Sequence, residues 1–229
     1  MQAFSRVKNL IGEKELEKLQ TSSVAVFGVG GVGGFVAEAL VRSGIGSITL
    51  FDSDKVDETN LNRQIIATKD TIGLDKVDVI KQRLLSINEN LKINTYKVFY
   101  LPENANQFDF AEYDYIVDAV DTVSAKLEII SRAKAINKPV ISSMGTAGKL
   151  EIEKLKVGDV FDTKGCPLAR VMRRELKKRG ITQVKVVYSE ENVCAKEETS
   201  DRKPPSMIFV PATAGLMIAR EVVLDLIKG

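Results

Sequence analysis

The chain predicts an α/β fold: a doubly wound, mostly parallel sheet with an antiparallel C-terminal extension. Three observations carry this reading. Short apolar runs alternate with helical patterns as far as about residue 145, the order that builds parallel strands joined by crossover helices. A glycine-rich turn joins the first of those strands to the helix after it. Beyond residue 145 the texture changes, and Leu150 to Val160 and Val184 to Tyr188 alternate as antiparallel strands do.

Taken in order, Leu10, Leu16 and Leu19 among charged neighbours predict an N-terminal amphipathic helix. Ser23 to Phe27 is a strand that ends in Gly28-Val29-Gly30-Gly31-Val32-Gly33-Gly34, and Phe35 to Arg42 is the following helix. Gly44-Ile45-Gly46 stops it, and Ser47 to Phe51 is a second strand ending in Asp52-Ser53-Asp54. Leu74 to Ile87 reads as a helix, Ile93 to Tyr100 and Tyr113 to Val117 as strands, Ser124 to Ile136 as a helix and Val140 to Ser143 as a strand. This predicts a Rossmann-like domain over residues 1–145, with its ligand beyond the C-terminal strand ends. Residues 146–229 form an extension of that domain with a helix between its two strands, a mobile crossover loop at 189–206, and a buried strand plus core helix over Met207 to Ala219.

Composition narrows the chemistry. The 229 residues, 44% hydrophobic and 28% charged, contain no histidine, which excludes schemes that need an imidazole base or ligand. Two cysteines, Cys166 and Cys194, cannot build a four-thiolate zinc site. With no secretory signal and no apolar window of about 18 residues, a cytoplasmic location without a membrane span is expected. A net charge of +2 means that attraction for nucleic acid must come from local clustering.

Gly28-x-Gly30-x-x-Gly33 between a strand and a helix is the context in which glycines permit a tight turn and close approach to phosphate. Asp52, at the end of the next strand, is placed to hold ribose hydroxyls. These features alone fit an NAD-dependent oxidoreductase. The next residues do not: Asp52, Asp54, Asn60, Arg63 and Gln64 crowd carboxylates, amides and a guanidinium into thirteen positions, suited to a triphosphate that Arg63 clamps. Lys76 supplies a further cation. Asp118 and Asp121 follow a later strand, where a carboxylate would face phosphates; Asp121 is a candidate magnesium ligand, and Asp121 with Thr122 also fits a helix cap.

In these residues the chain resembles the ubiquitin-activating-enzyme-like adenylating family. The resemblance rests on Gly28-x-Gly30-Gly31-x-Gly33, Asp52-x-Asp54, Asn60-x-x-Arg63-Gln64, Lys76 and Asp121 in order. It implies ATP and Mg2+ as cofactors and adenylation of a carboxylate. Gly31 and Asp52 would contact the nucleotide, Asn60, Arg63 and Lys76 the phosphates, and Asp121 the metal. Arg6 looks like the arginine that reaches a partner subunit's triphosphate, which implies a homodimer. The paired Cys-x-x-Cys motifs of the sulfur-carrier activators are absent, and Asp121-Thr122 replaces their Asp-Asn.

Arg6 to Glu13, Asn60 to Ile65, Pro167 to Gly180 and Val186 to Glu190 resemble instead the branch of tRNA threonylcarbamoyladenosine dehydratases. That implies an ATP-dependent enzyme that cyclises the threonylcarbamoyl group of a tRNA adenosine. The alternatives are an adenylyltransferase for a ubiquitin-like sulfur carrier, an NAD-dependent oxidoreductase and a non-catalytic nucleotide-binding adaptor. Arg170, Arg173, Arg174, Lys177 and Lys178 recur at helical spacing and predict one cationic face for tRNA, or else a solvated helix face. Lys196, Arg202 and Lys203 could add contacts. Cys166, in an expected exposed turn, and Cys194 raise a thioester or persulfide role and a cysteine-desulfurase or sulfur-transfer partner, against a plain reading as unused thiols.

Overall fold

The computed structural model describes residues 2–192 and 205–228. Two short helices, α1 (Ser5–Ile11) and α2 (Glu13–Thr21), precede β1 (Ser23–Phe27), α3 (Gly33–Arg42) and β2 (Ser47–Phe51). Then come α4 (Lys76–Ile87), β3 (Lys92–Tyr96), β4 (Tyr115–Asp118), α5 (Val123–Ala135) and β5 (Val140–Ser143). The chain continues through β6 (Leu155–Asp159), α6 (Pro167–Lys178) and β7 (Lys185–Ser189) to α7 (Phe209–Lys228). All seven strands form one sheet in the order β3-β2-β1-β4-β5-β7-β6. Every neighbouring pair is parallel except β6 with β7, so residues beyond 145 extend the same sheet with the expected antiparallel pair.

Both faces of the sheet are covered, as a parallel sheet requires. In β1, Val24 and Val26 enter a core shared with α3, α4 and α7, while Ala25 and Phe27 enter a second core shared with α5 and α6. The chain turns to opposite sides of β1 to place β2 and β4, so the C-terminal ends of β1 and β4 open a crevice where the order reverses.

Four expectations are corrected. The N-terminal helix is broken at Gly12, whose φ is +100°, and Leu10 is 84% exposed while Leu16 and Leu19 are buried. The third strand stops at Tyr96, and residues 97–100 leave the sheet. Met207 to Ala219 contains no strand: Met207, Ile208 and Phe209 are exposed, and a single helix starts at Phe209. Pro211 sits in its first turn, where a missing N–H costs nothing, and Gly215 lies inside it because a Cβ there would come within 2.6 Å of the Val32 carbonyl oxygen. The crossover was expected from 189, but Ser189 ends β7 and Glu191 is buried; residues 193–204, with Cys194, Lys196, Arg202 and Lys203, lie outside the described residues.

Candidate functional site: a nucleotide cleft at the strand ends

A cavity of about 730 Å3 opens at the crevice, lined by the turns that follow β1, β2, β4 and β5. The turn after β1 is shaped by contact. Gly28 has φ +85°, and a Cβ on it would lie 2.8 Å from the Ala119 carbonyl oxygen of the turn after β4. Gly33, at the start of α3, is not in the cavity; a Cβ there would come within 1.8 Å of the Gly28 carbonyl oxygen, so its role is to let helix and turn pack. Gly30 and Gly31 present bare backbone to the cavity.

Asp52 ties the first two turns together. Its Oδ2 accepts the Val29 N–H at 2.8 Å and its Oδ1 accepts the Asp54 N–H at 2.9 Å. Burial pushes its pKa above the ordinary 3.8, against the opposing pull of the Lys76 charge and the two N–H donors.

The polar side of the cavity is built by the loop after β2 and the start of α4. Asn60 is buried, and its Oδ1 accepts the Asp57 N–H at 3.1 Å, holding a helical turn over Glu58–Asn60. Arg63 Nη1 donates to the Thr59 carbonyl at 2.7 Å and to Asn62 Oδ1 at 2.9 Å, which fixes the guanidinium, while the Arg63 Cγ and carbonyl oxygen lie beside Gly31. Gln64 is buried against Gly30, and its Oε1 has no hydrogen-bond partner in the protein. Lys76, the first residue of α4, is buried and reaches Asp54 Oδ2 at 2.8 Å. Asp121 is exposed in the cavity and Thr122 is half-buried beside it; Thr122 occupies the cap position of α5 without making a side-chain cap bond.

Asp118 was expected to face phosphates, but it points into the protein, fully buried against Lys126. The sequence pattern did not mark Lys126, nor Val98 and Phe99, which line the cavity together with the stacked pair Phe27 and Phe51, whose ring centroids are 4.2 Å apart. The signal of Val98 and Phe99 was hidden because residues 97–100 read as a continuation of a strand. Such a site offers apolar and aromatic side chains for a planar base and cations for an anion chain.

The fold thus gathers Gly28, Gly30, Gly31, Asp52, Asp54, Asn60, Arg63, Gln64, Lys76, Asp121 and Thr122 around one cavity. Arg6 is exposed on α1 and does not line it. The ThiF family profile matches residues 4–224. The chain belongs to the ThiF family.

Among relatives in the ThiF family, the tRNA threonylcarbamoyladenosine dehydratase of Bacillus subtilis is 41% identical over 240 residues, covering 98% of this chain and 94% of that protein. The protein of the same name from Escherichia coli is 35% identical over 217 residues, covering 87% and 81%. The structure of Escherichia coli tRNA N6-threonylcarbamoyladenosine dehydratase in complex with AMP matches with a TM-score of 0.93 at 32% identity, over 99% of this chain and 94% of that one. Its complex with ATP matches equally well.

The basic helix is α6, and its inner side buries Ala169, Met172 and Leu176. Arg170, Arg174, Lys177 and Lys178 are exposed. Arg173 instead turns inward, donating to the Thr163 carbonyl at 2.9 Å and to its hydroxyl, and Glu175 holds both Arg174 and Lys178 at 2.9 Å. Leu168, in the first turn of the same helix, lines the cavity. Cys166 is buried rather than in an exposed turn; its Sγ accepts the Ala169 N–H at 3.5 Å and caps the helix. Among the described residues, no helix is long and apolar enough to cross a membrane.

Proposed function

We propose that this chain is an ATP-dependent dehydratase that cyclises N6-threonylcarbamoyladenosine in tRNA by adenylating its carboxylate. The observation that carries the reading is Leu168: the helix that bears Arg170, Arg174 and Lys177 also forms part of the wall shared with Asp52, Arg63 and Lys76. A site for nucleotide chemistry and a surface for phosphates therefore meet on one element. Relatives of this name at 41% and 35% identity support it.

In this reading the base of ATP lies on the apolar wall and Asp52 accepts from the ribose hydroxyls. Backbone N–H groups near Gly30 and Gly31 approach the phosphates, Arg63 and Lys76 neutralise them, and the amides of Asn60 and Gln64 complete the cradle. The unpartnered Gln64 Oε1 leaves one acceptor for the nucleotide or its water. Asp121 fits magnesium of the kind held by one carboxylate and substrate phosphates, and among the described residues no cluster of three ligating side chains offers an all-protein site. Magnesium bound there would neutralise charge on the triphosphate.

The threonylcarbamoyl carboxylate forms a bond to the α-phosphorus and pyrophosphate leaves. Attack within the activated group then expels AMP, which carries away the carboxylate oxygen, so that the nucleoside loses the elements of one water. Positioning and charge stabilisation suffice, which agrees with a chain that has no histidine. Arg6 completes the site from the other protomer of a homodimer. No sulfur is exchanged in these steps, so a sulfur-transfer partner would act outside them.

Incubation with ATP and threonylcarbamoyl-modified tRNA, followed by mass spectrometry of the nucleosides, tests the proposal. The expected result is loss of one water with release of AMP and pyrophosphate. An unchanged nucleoside, together with adenylation of a carrier ending in a diglycine, would overturn it in favour of a sulfur-carrier activator; tighter binding of NAD than of ATP would favour an oxidoreductase.

A further inference from the structure

Lys126 and Asp118 form an ion pair in which both side chains are fully buried, Nζ to Oδ2 at 3.0 Å. Nothing in the chemistry above uses it. Its three ammonium donors are all spent: on Asp118, on Ser142 Oγ at 3.3 Å and on the Ser143 carbonyl at 2.8 Å. Asp118 in turn accepts the Ser142 hydroxyl at 2.5 Å and the Val120 N–H at 3.3 Å. One ammonium therefore joins the end of β4, the end of β5 and the first turn of α5.

Stability alone accounts poorly for this arrangement. Removing two charges from water costs several kcal/mol per ion, and well-packed apolar residues of similar volume serve a core as well or better. Lys126 is also the fourth residue of α5, where the helix dipole presents its positive end and opposes a cation. What the pair does determine is geometry. The turn 119–122, which carries Asp121 and Thr122, runs between Asp118 and Lys126, and the wall that follows starts at the last anchor, Ser143. The first of these turns also bears on the glycine turn: the Ala119 N–H donates to the Phe27 carbonyl at 2.8 Å, and the Ala119 carbonyl oxygen abuts Gly28.

We propose that Lys126, acting through Asp118 and Ser142, is a positioning residue that fixes the turns after β4 and β5 and so places Asp121 for the triphosphate. The proposal deepens the adenylation reading and rests on it for the role of Asp121.

The test uses the charge-free pair Asp118→Asn/Lys126→Met, which leaves no lone buried charge, with thermal unfolding to check that it folds. In the nucleotide-free protein, amide exchange across 119–122 and 143–147 should quicken about tenfold or more, while β1 and α3 keep their protection. ATP affinity in magnesium should fall about tenfold while AMP affinity stays within about threefold, and adding Asp121→Ala to the pair should cost little more. Unchanged exchange in those turns, equal weakening of ATP and AMP, or full additivity with Asp121→Ala would overturn the proposal. If the double variant does not fold, Ser142→Ala, which removes one hydroxyl of the network, takes the same measurements with a smaller rise expected in the same turns. Failure of the unaltered protein to bind ATP would instead sink the adenylation reading, and the exchange result would then decide the positioning role by itself.

Discussion

Lys76 Nζ lies 2.8 Å from Asp54 Oδ2, a buried cation held by a carboxylate whose side chain is 61% exposed. The backbone repeats the link, because the Lys76 N–H donates to the Asp54 carbonyl at 3.0 Å. The ammonium is thus fixed at the first residue of α4 and turned toward the loop after β2. Lys76→Ala should lower ATP–pyrophosphate exchange by about a hundredfold or more, as loss of a preorganised charge-stabilising group does. Because Asp54 is open to water, the variant leaves no unpaired buried charge and should still fold. Exchange assays paired with thermal melts check both.

Asp52 should make nucleotide affinity depend on pH. Burial raises its pKa above 3.8, so its carboxyl takes up a proton at a higher pH than an unperturbed one as the solution is acidified. Ionisation is disfavoured above the raised value, and this penalty disappears below 3.8. Protonation turns one Asp52 oxygen into a donor and weakens its acceptance from the ribose hydroxyls, so AMP affinity should fall as pH drops into that range. In Asp52→Asn, calorimetry should find weaker binding that no longer varies there.

Glu38 carries the opposite sign. It is buried between α3 and α4; burial raises its pKa, but the guanidinium groups of Arg83 and Arg42 outweigh this and hold it below the ordinary 4.5. Arg42 Nε donates to it at 2.9 Å, and Arg83 binds both carboxylate oxygens. Its stabilisation is therefore full above 4.5 and is lost as pH falls through the lowered value. Glu38→Gln should cost about 1–3 kcal/mol at neutral pH. In denaturant titrations the gap from the unaltered protein should close as the pH falls below 4.5, with ATP binding at neutral pH unchanged.

Two glycines of the same turn should separate folding from binding. Gly33→Ala places a methyl group against the backbone of Gly28 and should destabilise by about 3 kcal/mol. Gly30→Ala meets only Gln64 Nε2 at 3.7 Å and should fold within about 1 kcal/mol of the unaltered protein. Because Gly30 faces the cavity, its methyl should nevertheless weaken ATP binding. Melting temperatures and nucleotide titrations of the two variants should show opposite rankings.

Replacing Arg170, Arg174 and Lys177 together by Ala should weaken tRNA binding across sequences and reduce the slope of log affinity against log salt by about 2–3. ATP affinity should not change, since none of the three lines the cavity. A salt slope that stays the same would assign this face to solvent.

The elements around the glycine turn were legible because their signals are local: an apolar run, glycines at fixed spacing and a second apolar run within thirty residues. Asp52 could be named for the same reason, since it follows the end of a marked strand, and Lys76 because it lies at the start of a helix; Arg63 and Asp121 were named instead from polar residues crowded between those elements and from the family resemblance. Lys126 was not legible. It lies in the middle of a polar–apolar helical pattern, where a lysine ordinarily faces water, and its partners are 8, 16 and 17 residues away in sequence. The strand expected near Met207 failed on a different ambiguity, as a short apolar run has no period that separates a strand from a helix start. Cys166 was misplaced because its cap bond to Ala169 draws the thiol inward.

The placement of Leu168 at one end of α6 makes that helix a ruler. Its twelve residues span about 18 Å, with Leu168 at the cavity and the exposed cations running from Arg170, close to it, to Lys178 at the far end. A rigid rod of fixed length converts a grip on phosphates into a distance requirement. On the proposed reading, an RNA held by these cations would present its modified nucleotide within about one helix length of them, so the span between backbone and reactive group would select the target without a base being read.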